Sequence, residues 1–217
     1  MKSSMRPPED IVPCLRCSNC YHISSDHWNV GCSVNPRYHH QEFVPSEINL
    51  LKAETKKHVV ILGGGPAGMK AAITASDRGH KVTIIEKQKE LGGMLRFISK
   101  EAHKEEVQRL LDYYLTQIFK REIEVLLNTE ADPELVKELQ PDSLLIAFGA
   151  VERILPIPGV EGEKVQLATK AIAHPEQLGQ NIVILGGGSI GCEIGLELAE
   201  NGKNVAILEL TDTLAAN

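Results

Sequence analysis

His58-Val59-Val60-Ile61-Leu62-Gly63-Gly64-Gly65-Pro66-Ala67-Gly68 is an apolar strand running into G-x-G-x-x-G. The same phrase returns 123 residues later as Asn181-Ile182-Val183-Ile184-Leu185-Gly186-Gly187-Gly188-Ser189-Ile190-Gly191. Each copy continues into a helical pattern, a stop glycine (Gly79, Gly202) and a second strand. Each then has an acid 18 residues past its last glycine, Glu86 and Glu209. Positions 60–65, 68, 79, 82, 84 and 86 are identical to their partners. One such glycine triplet is a weak signal, but two complete strand–turn–helix–strand units predict two dinucleotide cradles.

Elementary geometry explains the spacing. The first glycine permits the tight turn, the second lets backbone approach a pyrophosphate, and the third lets helix and strand pack closely. The helix start then offers free N–H groups and the positive end of its dipole to phosphate. An acid closing the second strand can accept hydrogen bonds from ribose hydroxyls. Val82–Ile85 and Val205–Leu208 both read as buried parallel strands.

Between and around the cradles the signals are ordinary. Lys87 to Arg96 reads as a loop containing Leu91-Gly92-Gly93. A helix is expected over roughly 100–120, with Val107, Leu110, Leu111, Tyr114, Leu115 and Ile118 on one stripe. Glu122–Leu127 and Ser143–Phe148 read as strands, the latter buried and closed by Gly149. Asp132-Pro133 predicts a capped helix running to about Leu139. Residues 150–180, with Pro156, Pro158 and Pro175, read as a connector. Only eight residues follow Glu209, so the second unit is expected to be truncated and completed by further chain.

Composition narrows the class. The chain has 217 residues, 42% of them hydrophobic and 24% charged, with a formal net charge of −6. That balance, without a basic run, argues against nucleic acid as a partner. No apolar stretch approaches the ~20 residues of a membrane helix, and the first residues lack a signal-peptide core. A cytoplasmic location is the default expectation.

Residues 1–50 differ from the rest. They hold four of the five cysteines, as Cys14-x2-Cys17-x2-Cys20-x11-Cys32, with little helical or strand periodicity. In a reducing compartment this spacing is a metal site rather than a disulfide framework. Zinc and an iron–sulfur cluster compete for it; three closely spaced cysteines plus a distant fourth favour [4Fe–4S] over the paired C-x-x-C arrangement common for zinc. His22, His27, His39 and His40 read as surface or packing residues beside a filled thiolate shell. Cys192, in the second glycine-loop helix, reads as a small buried residue.

In order along the chain stand the cysteine pattern with Cys32-Ser33-Val34-Asn35-Pro36, the first glycine loop, and Glu86-x4-Leu91-Gly92-Gly93. Ala147-Phe148-Gly149, Pro156-Ile157-Pro158-Gly159 and the second glycine loop complete the series. This resembles the C-terminal half of the iron–sulfur flavoenzymes related to old yellow enzyme, the family of 2,4-dienoyl-CoA reductase, trimethylamine dehydrogenase and the bile-acid NADH:flavin oxidoreductases. The resemblance implies an α/β fold. Two Rossmann-like units, the second truncated, would follow an irregular cysteine-rich iron–sulfur segment. Its boundaries would be 1–50 for the [4Fe–4S] segment, 51–155 for an FAD-binding domain and 156–217 for the N-terminal part of an NAD(H)-binding domain.

It also implies roles. Cys14, Cys17, Cys20 and Cys32 would hold [4Fe–4S]. Gly63, Gly65, Pro66, Ala67, Gly68 and Glu86 would hold FAD, with Gly92, Gly93 and Gly149 nearby. Gly186, Gly188, Ser189, Ile190, Gly191 and Glu209 would hold NADH, with Glu209 disfavouring the 2′-phosphate of NADPH. No side chain of this chain has to act as catalytic acid or base. Electrons would run from NADH to FAD, to the cluster, and to an FMN in an absent TIM-barrel domain that reduces an enoate or enone. Two alternatives belong to other classes: a structural ADP-binding module like that of the amine dehydrogenases, and a reductase like the glutamate synthase small subunit.

Overall fold

The computed structural model describes residues 7–21, 31–46 and 50–215. The chain divides into two compact units: one runs to Arg96 and resumes over Glu105–Gly149, the other holds Phe97–Lys104 and everything from Ala150. His22 and His27 lie outside the described residues; His39 and His40 are exposed.

The first unit is a four-stranded parallel sheet. Its strands are β1 (His58–Leu62), β2 (Lys81–Ile85), β3 (Glu124–Leu126) and β4 (Ser143–Ile146), in the spatial order β3-β2-β1-β4. The order reverses between β1 and β4, and ligands of such sheets bind at that switch, outside the carboxyl ends of the strands. Helix α1 (Pro66–Asp77) follows β1, a short α2 (Leu95–Ile98) follows the Leu91-Gly92-Gly93 turn, and α3 (Glu105–Lys120) and α4 (Pro133–Leu139) follow in turn. Asp132 caps α4 by accepting the Leu135 N–H at 2.8 Å. Val60, Ile61, Ile84, Met69 and Ala72 are completely buried between sheet and helices. The buried Thr83 hydroxyl is satisfied by Glu124 at 2.7 Å and by the His58 ring at 2.9 Å.

Helix α3 buries more than the expected stripe: Glu106, Tyr113 and Gln117 are also covered. The cysteine-rich segment supplies the cover. Gln117 donates to Asp10 at 2.8 Å, Lys120 pairs with Asp10 at 2.7 Å, and Arg16 pairs with Glu106. Val12, Leu15 and Val34 pack on the core of the unit. The segment therefore leans on the apolar core of the first unit, because α3 offers it a second apolar and polar face.

The second unit contains α5 (Ala168–Ala173), inside what reads as a connector, then β5 (Asn181–Leu185), α6 (Ser189–Glu200) and β6 (Asn204–Leu208). β5 and β6 pair in parallel, Asn181 opposite Asn204. Gly195 lets α6 press on Ile184 and Ile207; a Cβ there would come within 3.0 Å of Ile207. Two expectations of burial fail. β6 alternates between half-buried and exposed, and Leu208 is 57% exposed. β4 is exposed throughout, with Ile146 at 65%. A parallel strand is buried only when both sheet faces are covered. Among the described residues β4 sits at a sheet edge, and α6 covers one face of the β5–β6 pair.

Candidate dinucleotide cradles and cysteine segment

The two glycine loops follow the same backbone path. Gly63 leaves β1 with φ +107°, a conformation side chains rarely adopt, and a Cβ on it would strike the Ala147 carbonyl. Its counterpart Gly186 has φ +108°. Gly68 and Gly191 lie so close to the carbonyl oxygens of Gly63 and Gly186 that a Cβ on either would overlap them. Gly65 and Gly188 are different: a Cβ on Gly65 would meet only the Gly93 backbone, at 4.0 Å, and a Cβ on Gly188 would meet nothing within 4 Å. Those two positions leave open space where a pyrophosphate would sit, at the start of α1 and α6. Pro66 and Ala67, like Ser189 and Ile190, form the first turn of those helices. The cradles fit a dinucleotide by this test.

The acids do more than wait for a ribose. Glu86 Oε2 accepts the Gly64 N–H at 2.7 Å, and Glu209 Oε2 accepts the Gly187 N–H at 2.7 Å. The second oxygen of each accepts the N–H two residues on: Gln88 to Glu86 at 2.8 Å, Thr211 to Glu209 at 2.9 Å. Each carboxylate thus ties the end of its second strand to the middle glycine of its loop. The Thr211 N–H, then the Gly187 N–H and the Thr211 hydroxyl, hold the Glu209 carboxyl below the usual carboxylate range.

The repeat extends beyond the acids, which sequence comparison missed. Leu91 lies against Gly64, and the Gly92 N–H donates to the Gly64 carbonyl at 2.8 Å. In the second unit Leu214 lies against Gly187, and the Ala215 N–H donates to the Gly187 carbonyl at 2.7 Å. The spacing from the middle glycine is the same in both. The only sequence signal is one shared leucine, since Gly92 has φ +126° while Ala215 holds φ +49° with a side chain. In the first unit Arg96 steadies this turn by donating to the Leu91 carbonyl at 2.8 Å and pairing with Glu90. Gly93 stacks its backbone on Gly65, so the turn reaches the rim of the first cradle. Gly149, φ +73°, is exposed three residues past β4. An alanine in the left-handed region costs about 1 kcal/mol relative to glycine. Ala215→Gly is therefore expected to slow amide exchange at residue 215 about two- to fivefold, read by hydrogen-exchange mass spectrometry.

The cysteine segment is near the first cradle but not closed. Cys14, Cys17 and Cys20 are exposed and Cys32 half-buried, all as free thiols. Cys17 Sγ lies 3.3 Å from the Ser33 hydroxyl, which lowers the Cys17 thiol pKa. Cys32, Pro36, Pro66, Ala67 and Lys70 line one depression, so one thiol adjoins the first turn of α1. Among the described residues no three potential ligands converge as they would around a metal. The donor set, four thiols, suits an iron–sulfur cluster or zinc. Cys192 is half-buried rather than fully buried, and its thiol donates to the Gly187 carbonyl at 3.2 Å.

A parallel β3-β2-β1-β4 sheet with one glycine cradle, followed by a second such cradle, defines a two-dinucleotide oxidoreductase. The chain belongs to the pyridine nucleotide-disulphide oxidoreductase family, whose model matches residues 57–217, and its relatives are old-yellow-enzyme-related iron–sulfur flavoenzymes. FAD and NAD(P)H binding go with that membership. The chain is 36% identical over 207 residues to cinnamate reductase of Clostridium sporogenes, covering 95% of this chain and 30% of that protein. It is 39% identical over 189 residues to an NADH oxidase of Thermoanaerobacter brockii, covering 85% and 28%. A solved 2-naphthoyl-CoA reductase in complex with 2-naphthoyl-CoA superposes with a TM-score of 0.89 at 33% identity, covering 99% of this chain and 32% of that one. The chain thus spans about 30% of the length of these relatives. No described helix is long and apolar enough to cross a membrane.

Proposed function

We propose that the chain is the electron-input part of an NADH-dependent iron–sulfur flavoenzyme. The observation that carries this reading is the duplicated acid-to-glycine hydrogen bond, Glu86 to Gly64 and Glu209 to Gly187, which builds two cradles in one chain. The FAD cradle would comprise Gly63, Gly65, Pro66, Ala67, Gly68 and Glu86, rimmed by Gly92, Gly93 and Gly149. The nicotinamide cradle would comprise Gly186, Gly188, Ser189, Ile190, Gly191 and Glu209. Cys14, Cys17, Cys20 and Cys32 would hold [4Fe–4S], and four unpaired thiols suit a cytoplasmic setting. The corresponding divisions are 1–50, 51–155 and 156–217.

When bound, FAD supplies a hydride acceptor for NADH and a store from which an iron–sulfur cluster takes electrons singly. The chain contributes position. The α1 and α6 starts would face the phosphates, and Glu86 and Glu209 the ribose hydroxyls. The fixed Glu209 charge repels a 2′-phosphate, which favours NADH over NADPH. A further FMN-carrying TIM-barrel domain would receive the electrons and reduce an unsaturated acid or ester; relatives named as reductases of cinnamate and 2-naphthoyl-CoA support that class.

The test is anaerobic reconstitution with iron, sulfide and FAD, followed by NADH. Bleaching of the flavin absorbance is the expected result. Recovery of ADP in place of FAD, with no bleaching, would establish the structural-nucleotide role instead.

A further inference from the structure

The two cradles share the backbone hydrogen bonds that reach their carboxylate oxygens but differ in one side chain. Two residues past Glu86 stands Gln88, and Glu86 Oε1 receives its N–H at 2.8 Å. Two residues past Glu209 stands Thr211, which gives Glu209 Oε1 both its N–H at 2.9 Å and its hydroxyl at 3.1 Å. The same hydroxyl lies 3.0 Å from the Thr213 carbonyl, in the loop that carries Leu214 onto Gly187, and its single proton serves one of these two acceptors at a time. An ionised carboxylate has about four acceptor sites. Glu86 uses two of them internally, leaving two for a ribose diol. Glu209 uses up to three, leaving about one.

We propose that Thr211 is a specificity-positioning residue of the nicotinamide cradle: its hydroxyl locks Glu209 in the orientation that admits a ribose 2′-hydroxyl and excludes a 2′-phosphate. This rests on the reading of that cradle given above. Backbone N–H groups hold both oxygens of each acid, and the Thr211 hydroxyl adds to Glu209 a further bond that resists the rotation an incoming phosphate would impose. The first cradle needs no such lock, because an ADP moiety of FAD carries no 2′-phosphate to reject.

The experiment compares the intact protein with Thr211→Val and Thr211→Ser. The first cradle is saturated with FAD, and NADH and NADPH are titrated separately by calorimetry. The unaltered protein is expected to prefer NADH. Thr211→Val should narrow the NADH-to-NADPH preference about tenfold or more, as loss of one hydrogen bond to a charged acceptor implies. Thr211→Ser should restore it, with FAD content and melting temperature unchanged in both. An unaltered preference in Thr211→Val, or an equal loss in Thr211→Ser, overturns the assignment of the hydroxyl. Absence of NADH binding to the unaltered protein overturns the cradle reading itself, and the inference with it.

Discussion

Gly68→Ala is expected to lower the melting temperature of the first unit by roughly 10 °C and to abolish the FAD binding proposed for its cradle. The added methyl would overlap the Gly63 carbonyl oxygen, and the neighbouring Ile61 side chain at 3.4 Å blocks sideways relief. Gly63 cannot retreat. Its N–H is bonded to the Ile85 carbonyl at 2.8 Å, its φ is +107°, and the Ala147 carbonyl backs it on the other side. Overpacking costs about 1–3 kcal/mol where side chains can shift, and a backbone neighbour puts the cost at the upper end. About 3 kcal/mol corresponds to roughly 10 °C for a unit of this size. Gly65→Ala is the contrast. Its Cβ meets only the Gly93 backbone at 4.0 Å, so melting should move by no more than about 2 °C while FAD is still lost, because the methyl occupies the phosphate's place. Differential scanning fluorimetry and released-flavin content read both arms. Equal melting of the two variants would show that the third glycine does not hold helix against strand.

Replacing any one of Cys14, Cys17, Cys20 or Cys32 by Ser is expected to prevent assembly of the proposed iron–sulfur cluster without unfolding the protein. A serine oxygen is a poor substitute for a thiolate on iron, and three remaining ligands leave a corner of a cubane open. The fold should tolerate the change because three of these thiols are exposed and none belongs to the buried core. Iron and acid-labile sulfide assays on anaerobically prepared protein, with far-ultraviolet circular dichroism alongside, make the measurement. Cys192→Ser should keep full iron content, since its thiol points to the Gly187 carbonyl in the other unit. Zinc in stoichiometric amount, with no sulfide, would sink the cluster assignment while leaving the four-thiolate site standing.

Much of the cradle geometry was legible because backbone constraints are local. A turn that demands φ near +107° at Gly63 and a helix that must graze the Gly63 carbonyl at Gly68 leave glycine as the residue for both. The Asp132-Pro133 helix start was legible for the same reason: cap and fixed φ act within one turn. Where neighbours distant in sequence decide, the reading missed. The burial of Glu106, Tyr113 and Gln117 on α3 depends on the segment around Asp10 and Arg16. The exposure of Leu144, Leu145 and Ile146 depends on what lies beside an edge strand, which their apolar character cannot report.

The acids show the division within single residues. Sequence alone determined that Glu86 and Glu209 end the second strands of two phosphate-binding units, because a period of glycines, strands and acids repeats only when the same backbone path does. Tertiary structure alone decided that each carboxylate closes on its middle glycine, that Leu214 and Ala215 repeat Leu91 and Gly92, and that Thr211 distinguishes the second acid from the first. The Thr211 bond is local, but the carboxylate and turn contacts on the middle glycines join residues about 22 to 28 positions apart in the chain. No local propensity encodes such pairs, and only the folded strand–helix–strand path brings them within reach.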